Sequence, residues 1–138
     1  MSSRLNPYIG FKDNARDAMT FYQEVFGGEL TISTFGEYGS ADGPDADKVM
    51  HSQLDTDRGF TLMASDTPPG MPYDDAAGRI SISLSGDDGD DLRGYFEKLS
   101  AKGAVSMPLE KQMWGDEFGM CTDEFGVAWL VNISAPQA

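Results

Sequence analysis

The chain has 138 residues, of which 40% are hydrophobic, and it carries 23 acidic against 10 basic side chains, a formal net charge of -13. A chain of this length suits one compact domain, because it can bury about two-thirds of its unfolded surface. The negative charge repels phosphate backbones and anionic lipid headgroups, so nucleic acid and membrane surfaces are not expected as partners.

The first predicted elements are a short strand and an amphipathic helix. The N-terminal sequence MSSRLNPYIGF has no apolar run of signal-peptide length, and its PYIGF segment at residues 7–11 reads as a strand. The helix NARDAMTFYQEVFGG begins at Asn14, a candidate cap, and ends at Gly27 and Gly28. Its apolar face consists of Ala18, Tyr22 and Val25.

Three further strands are predicted after this helix, in ELTISTFG, KVMHSQL and FTLMAS. Between the first two lies EYGSADGPDAD at residues 37–47, a long loop inside the first half of the chain. Such a loop can close over a pocket as a lid, or it can be an acidic insertion without a function. Both interpretations remain open at this point.

The segment after the fourth strand predicts a linker, because SDTPPGMPYDDAAG is rich in Pro, Gly and Asp. The next strand is RISISLS at residues 79–85, where apolar and Ser residues alternate with the period of a half-buried strand. The helix DDLRGYFEKLSAKG follows and closes at Gly103. The apolar residues of the strand are Ile80, Ile82 and Leu84, and those of the helix are Leu92, Phe96 and Leu99.

The last three predicted strands, VSMPLE, FGMCT and VAWLVN, complete a repeat. The order strand, helix, strand, strand, strand occurs twice, and FYQEV at 21–25 and YFEKL at 95–99 occupy equivalent places in the two helices. We therefore predict a single domain over residues 1–138. Its parts are a first βαβββ unit at 1–67, a linker at 68–78 and a second unit at 79–134.

The order and spacing of several segments resemble the vicinal oxygen chelate (glyoxalase/bleomycin resistance/dioxygenase) superfamily, and within it the PhnB-like branch. The segments that carry the resemblance are FYQEVFGGEL, MHSQL, LMASD, WGDEFG and DEFGVAW. The resemblance implies an α+β fold, in which the two units form a curved eight-stranded mixed sheet around a cup-shaped cavity with the helices outside. It also implies a homodimer, since many members of the superfamily are dimers.

The resemblance further implies where a divalent metal ion would bind. The enzymes of the superfamily hold one through His, Gln or Glu on the cavity faces of the first and fourth strands of each unit, where it stabilises negative charge on substrate oxygens. The corresponding residues here are not customary ligands, so no metal and no cofactor is expected. They are Asn6 or Tyr8 in the first strand, Met63 in the fourth, Arg79 in the fifth, and Trp129 or Leu130 in the eighth.

His51 is the only histidine, and it stands in the predicted third strand with Gln53 on the same face. It is a candidate general base, because an unperturbed histidine titrates at about pH 6.5, and the alternative is a hydrogen-bonded wall or core residue. As the ligand of an unusual metal site it would need partners such as Asp66 or Glu117. A pair with Cys121 is conceivable, although that residue reads as a buried, inert thiol.

Strand alternation predicts the side chains that line the cavity. If the apolar side of the fifth strand packs against the helices, its polar side faces the cavity, and Tyr8 does the same in the first strand. The guanidinium of Arg79 suits a carboxylate or phosphate, or it pairs with Asp74 or Asp75. Large rings could stack on a planar or cationic ligand, or pack in the core. The predicted ligand-binding residues are Tyr8, His51, Gln53, Met63, Arg79, Ser81, Ser83, Trp114 and Phe118.

Four acidic residues cluster near the end of the chain, in WGDEFGMCTDEFG. They could be general acids or metal ligands, but the repeat places them in loops and turns, where exposed carboxylates are common. The stretch predicts the final hairpin, with Gly126 at its turn and Trp129 packed in the core. The acids are Asp116, Glu117, Asp123 and Glu124.

The functional prediction is a PhnB-like, metal-independent protein that binds a small molecule in an apolar and aromatic cavity. One alternative is a metal-dependent lyase, isomerase, dioxygenase or thiol transferase with an atypical ligand set. Another is a structural or regulatory dimer. The single cysteine excludes an internal disulfide and fits a reducing compartment, so we expect a cytoplasmic protein. No Gly-rich phosphate-binding motif is present.

Overall fold

The computed structural model describes residues 5–38, 43–67 and 80–135. The chain divides into two compact units, Met1–Asp75 and Ala76–Ala138. The division falls inside the predicted linker at residues 68–78, which itself lies outside the described residues. No helix in the described ranges combines the length and the apolar character needed to cross a membrane.

The first unit contains one helix and a four-stranded mixed sheet, as predicted. The strands lie in the order β1-β4-β3-β2, with β1 parallel to β4 and the other pairs antiparallel. The elements are β1 (Tyr8–Phe11), α1 (Ala15–Phe26), β2 (Glu29–Thr34), two short 3-10 helices (Gly36–Tyr38 and Gly43–Asp45), β3 (Val49–Asp55) and β4 (Thr61–Asp66).

The second unit repeats this arrangement. Its strands lie in the order β5-β8-β7-β6, and β5 is parallel to β8. The elements are β5 (Ile82–Gly86), α2 (Gly89–Ser100), β6 (Ala104–Lys111), β7 (Glu117–Thr122) and β8 (Ala128–Ile133). The predicted α+β fold of two βαβββ units is therefore confirmed.

The register of the parallel strands supports a duplicated unit in detail. Tyr8 pairs with Met63 between β1 and β4, and Ser83 pairs with Leu130 between β5 and β8. In each sheet the parallel pairing ends three residues after these positions. Ser83 is therefore the counterpart of Tyr8, and Leu130 is the counterpart of Met63.

The hairpin turns between the last two strands of each unit are also equivalent. In the first, the amide of Gly59 donates to the carbonyl of Thr56 over 3.1 Å, and in the second the amide of Gly126 donates to the carbonyl of Asp123 over 3.1 Å. Both glycines have positive φ, 85° and 88°, a conformation that costs glycine little. The predicted place of Gly126 at the last turn is confirmed.

The apolar faces of both helices are buried, as their sequence periodicity predicts. Ala18, Tyr22 and Val25 are buried in α1, and the corresponding residues of α2 are Leu92, Phe96 and Leu99. Each helix packs these buried side chains against the strands of its own sheet.

Two local predictions are wrong. Ile80, expected to pack against a helix, is 85% exposed, because β5 begins only at Ile82. The side chain of Asn14 makes no capping hydrogen bond. The first amide of α1, that of Ala15, instead donates over 2.9 Å to the buried carboxylate of Asp66, which reaches the helix from the end of β4.

The long loop of the first unit is held at its base by charge. The amine of Lys48 contacts the carboxylates of Asp13 and Asp45 at 2.8 and 2.9 Å, and the hydrogen bond to Asp13 is the main reason that the pKa of Lys48 is raised. Residues 39–42 lie outside the described part, so the lid at residues 37–47 stays a prediction.

Candidate functional site

Four of the predicted ligand-binding residues lie on one face of the first sheet. Met63 pairs with Tyr8 on one side and with Gln53 on the other, and directly paired residues point to the same face of a sheet. His51 shares that face, because it lies two residues from Gln53 along β3. This face, opposite the one that packs on α1, is called the open face of the first sheet, and its members include Tyr8, Glu29, Thr31, Ser33, His51, Gln53, Asp55, Thr61 and Met63.

The open face brings Tyr8 and His51 into direct contact. The Tyr8 hydroxyl lies 3.0 Å from Nδ1 of His51, and the two ring centroids are 5.6 Å apart. Strand β4 separates their strands, so the side chains bridge about 10 Å, twice the spacing of neighbouring strands. Tyr8 is 53% exposed and His51 is half-buried, so both remain accessible from this face.

Gln53 on the same face is oriented by a carboxylate. Its amide nitrogen donates to both oxygens of Asp55, at 3.2 and 3.0 Å. The hydroxyl of Thr61 donates to the same carboxylate over 3.0 Å. The amide of Gln53 is therefore turned so that its nitrogen faces Asp55.

The equivalent face of the second sheet is less polar. Ser83 and Leu130 take the places of Tyr8 and Met63, and Phe118 lies on the same face of β7. Trp114, which is 62% exposed, stands with its ring centroid 6.3 Å from that of Phe118. Ser83 on β5 and Ser81, just before it, are exposed, and their place in a ligand cavity stays a prediction. Arg79 lies outside the described residues.

The residues at the customary metal positions do not fit a divalent ion. In the first unit they are Tyr8 and Met63, and a thioether does not suit an oxygen-chelating ion. In the second unit the register gives Ser83 in place of Arg79, which the sequence had suggested for the fifth strand. Leu130 is its partner in the eighth strand, while Trp129 points to the opposite side and is buried. Within residues 5–38, 43–67 and 80–135, no cluster of three or more His, Cys, Asp or Glu side chains could hold a metal ion.

Asp66 does not join His51 in the unusual metal set that the sequence allowed. Asp66 lies on the helix side of the first sheet, whereas His51 lies on the open face. Both oxygens of the Asp66 carboxylate accept backbone hydrogen bonds, from Ala15 and Val49. Glu117 belongs to the second unit, where it accepts two hydrogen bonds of 2.9 Å from Arg93.

Three of the four acids near the C-terminus are engaged in the fold, so the expectation of ordinary exposed carboxylates is wrong for them. Asp116 accepts from the amide of Ala135 at 2.9 Å and from Asn132, which together lower its pKa. Glu117 is bound by Arg93. Asp123 is buried and accepts from two turn amides and from Trp129. Of the four, only Glu124 is exposed.

The thiol of Cys121 is buried, as predicted. Burial, assisted by the negative charge of Asp123, raises its pKa to about 11. The sulfur lies on the helix side of the second sheet, with Trp129 as its strand partner. A nucleophilic role for this residue has no support from this environment, because a nucleophile needs an accessible thiolate.

The sequence interpretation missed a groove in the second unit, beside the start of α2. Its volume is about 620 Å³, and its charged walls include Arg93, Lys111 and Glu117. The guanidinium of Arg93 is already occupied by Glu117 and by Asp90. No local sequence pattern could have indicated the groove, because β6, β7 and the end of β8 contribute its walls together with α2.

Comparison with known proteins identifies the family of this fold. The family model of the Glyoxalase/Bleomycin resistance protein/Dioxygenase superfamily matches residues 4–131. The chain belongs to this superfamily. The resemblance inferred from the sequence is therefore confirmed.

Similar proteins and structures cover almost the whole chain. YjdN of Escherichia coli is 28% identical to this chain, and the match covers 96% of this chain and 97% of YjdN. The uncharacterised protein Mb0911c of Mycobacterium bovis is 32% identical, and the match covers 93% of this chain and 81% of Mb0911c. The crystal structure of PA1353 from Pseudomonas aeruginosa has 39% identity and a TM-score of 0.85, covering 98% of this chain and 100% of that one. The PhnB protein of Bacillus cereus shares the fold, at 24% identity and a TM-score of 0.76, over 96% and 100%.

Proposed function

We propose that this superfamily member is a PhnB-like, metal-independent protein that binds a small molecule on the open face of its first sheet. The observation that carries the proposal is the contact between Tyr8 and His51, 3.0 Å long and accessible from that face. Neither side chain is needed to fill the core, which the other side of the sheet provides. A hydrogen-bonding pair on an exposed sheet face can anchor a ligand.

The surroundings of the pair also suit a small ligand. Met63 offers an adaptable apolar surface between the two strands, and Gln53 offers a fixed amide next to it. Aromatic faces, apolar surface and a few oriented polar groups are the usual composition of a small-molecule site. In the second unit, Trp114 and Phe118 form an aromatic pair that could serve the same ligand class.

The proposal of metal independence is based on the side chains at the customary metal positions. Tyr8 and Met63, and their counterparts Ser83 and Leu130, replace the His, Gln and Glu ligands on which the enzymes of the superfamily depend. Without such ligands an ion that polarises substrate oxygens cannot be retained tightly. The donor set therefore favours a binding role over metal-dependent catalysis.

The test is elemental analysis of protein purified without added metal, followed by a thermal-shift screen with divalent ions and with aromatic and cationic compounds. A compound that binds only the native state raises the melting temperature by mass action. We expect less than a tenth of an equivalent of metal, and stabilisation by at least one compound that is lost in His51→Ala. The matched control is Lys102→Ala, at an exposed residue of the second unit.

Other outcomes favour the alternatives. Near-stoichiometric metal that disappears in His51→Ala would replace the proposal with a metalloenzyme that has an atypical ligand set. Failure of every compound, with no metal present, would favour a structural or regulatory protein.

The proposal includes a cytoplasmic homodimer. β6 is an edge strand of the second sheet, and Val105 and Met107 on it are 48% and 40% exposed. An apolar edge with unpaired backbone groups is suited to pairing with another chain. Light scattering after size-exclusion chromatography tests this, and Met107→Lys is expected to shift the protein towards the monomer.

A further inference from the structure

The contact between Tyr8 and His51 fixes which ring nitrogen of the histidine faces a ligand. A phenol hydroxyl is a good donor, and the unprotonated nitrogen of a neutral imidazole is a good acceptor. Either tautomer of His51 is compatible with the 3.0 Å contact at Nδ1, and the one in which Tyr8 donates to Nδ1 is the one that gives Nε2 a proton. In that tautomer Nε2 is a donor.

Nε2 is left available for a ligand. Among residues 5–38, 43–67 and 80–135, the hydrogen bond of the His51 ring is the one with Tyr8 at Nδ1. The ring is only half-buried, so a small molecule can approach it from the open face. In that tautomer the face thus presents one oriented N–H donor.

Gln53 presents the complementary group. Because a carboxylate accepts hydrogen bonds and cannot donate them, the bonds to Asp55 engage the nitrogen of the Gln53 amide. The amide oxygen consequently points away from Asp55 as an acceptor. Along β3, Gln53 lies two residues from His51, a backbone spacing of about 7 Å.

Charge on the same face selects among possible ligands. Two acidic residues of this face, Glu29 and Asp55, are register partners across β2 and β3. They disfavour an anionic ligand near Gln53, whereas a neutral carbonyl oxygen can still accept from His51. A cation without an acceptor would leave the Nε2 donor unsatisfied.

We infer that the open face of the first sheet recognises a neutral, planar carbonyl compound that also carries an N–H group, such as an aromatic carboxamide. His51 Nε2 donates to its carbonyl oxygen, and the Gln53 amide oxygen accepts from its N–H. Tyr8 is a positioning residue that holds the tautomer of His51. This inference rests on the proposed function, whose ligand class it specifies.

The tautomer of His51 can be measured directly by NMR. Because the protein has one histidine, all imidazole nitrogen resonances come from the ring of His51. Long-range proton–nitrogen NMR correlation, at a pH where the ring is neutral, distinguishes a protonated nitrogen from an unprotonated one. We expect Nε2 to be protonated and Nδ1 to be an acceptor. In Tyr8→Phe the two nitrogen shifts should move towards their average. A protonated Nδ1, or signals that Tyr8→Phe leaves unchanged, would overturn the inference.

Ligand recognition is tested with three compounds that share one ring: benzamide, benzoate and benzylamine. Benzamide should shift the Nε2 resonance at millimolar concentration, and its Kd should rise about three- to tenfold in His51→Phe and in Gln53→Met, since each loses one neutral hydrogen bond. Lys102→Ala is the matched control and should bind as the wild type does. Equal or stronger effects of benzoate or benzylamine at Nε2 would overturn the inferred ligand class.

The failure of this inference and that of the proposed function can be told apart. If compounds perturb the backbone signals of β1, β3 and β4 but never the His51 ring, the binding function stands and the inferred recognition is wrong. If no compound of the wider thermal-shift screen perturbs these strands, both are overturned.

Discussion

The indole nitrogen of Trp129 donates a hydrogen bond of 2.9 Å to the carboxylate of Asp123, and both side chains are buried. The other oxygen of that carboxylate accepts from the amides of Phe125 and Val127 in the turn between β7 and β8. One side chain therefore joins the turn to the core of the second unit. In the equivalent turn of the first unit, Thr56 accepts the amide of Phe60 with its hydroxyl at 2.9 Å.

Removal of this carboxylate should destabilise the protein strongly. Asp123→Ala leaves two amides and an indole N–H without their acceptor, and each lost hydrogen bond to a charged group costs about 1.5–3 kcal/mol. We expect a loss of about 3 kcal/mol or more in the free energy of unfolding, measured by urea denaturation with tryptophan fluorescence. Glu124→Ala, at the exposed neighbour, should change it by less than about 0.5 kcal/mol. Equal effects of the two variants would contradict the structural role of Asp123.

The elements of the fold could be predicted because their patterns are local. In β5, Leu84 is buried between exposed Ser83 and Ser85, as alternation requires, and in α1 Tyr22 is buried at its helical position. Ile80 shows the limit of this reasoning. Its place in the alternating pattern indicated burial, but the pattern does not define where hydrogen bonding to β8 begins.

The contacts that matter for function were only partly predictable. Tyr8 and His51 were each assigned to the cavity wall, but their pairing depends on β4 lying between β1 and β3, which no local pattern encodes. The role of Asp66 did have a signal in the sequence. It follows Leu62 and Ala64 at alternate positions, so the pattern placed a carboxylate on the buried face of β4.

The glycines that follow the two helices should not tolerate a side chain. A Cβ built at Gly103 would overlap the carbonyl oxygen of Thr122, and one built at Gly28 would overlap that of Asp55. We expect Gly103→Ala to lower the free energy of unfolding by about 2 kcal/mol or more, because backbone must move. The control is Gly94→Ala inside α2, where a Cβ meets nothing within 4 Å and should stabilise the helix by about 0.5–1 kcal/mol. A Gly103→Ala variant that melts at the wild-type temperature would contradict the close approach at Gly103.

Asp66 should stabilise the fold, and it should not bind a metal ion. Asp66→Ala removes the acceptor of the Ala15 and Val49 amides, each worth about 1–3 kcal/mol when left unsatisfied. We expect a marked loss of stability in chemical denaturation, and a smaller loss in Asp66→Asn, which keeps one acceptor oxygen. The metal content of folded protein should be the same in both variants and in the wild type. A metal content that falls in Asp66→Asn while stability is retained would show that Asp66 is a ligand.

Cys121 should resist alkylation in the native state. Its pKa of about 11 leaves roughly one thiol in a thousand ionised at pH 8, and the side chain is also buried. We expect iodoacetamide to modify native protein at pH 8 at least a hundredfold more slowly than protein unfolded in urea, as followed by mass spectrometry. Comparable rates in the two states would mean that the strand around Cys121 opens readily.

The ion pair between Arg93 and Glu117 should make stability depend on acid pH. Its hydrogen bonds lower the pKa of Glu117 below the ordinary value of 4.5. A carboxyl group whose pKa is lower in the folded state stabilises the fold fully at pH values above its pKa in the unfolded state. This stabilisation is lost as the pH falls through its pKa in the folded state. The unfolding free energy should therefore fall less between pH 6 and pH 3 in Arg93→Met than in the wild type, by urea denaturation at each pH. Lys98→Met removes an exposed charge on the same helix, and its unfolding free energy should depend on pH as that of the wild type does. The lowered pKa of Asp116 contributes equally to this dependence in the wild type and in both variants. Parallel profiles for Arg93→Met and Lys98→Met would show that the pair does not stabilise the fold.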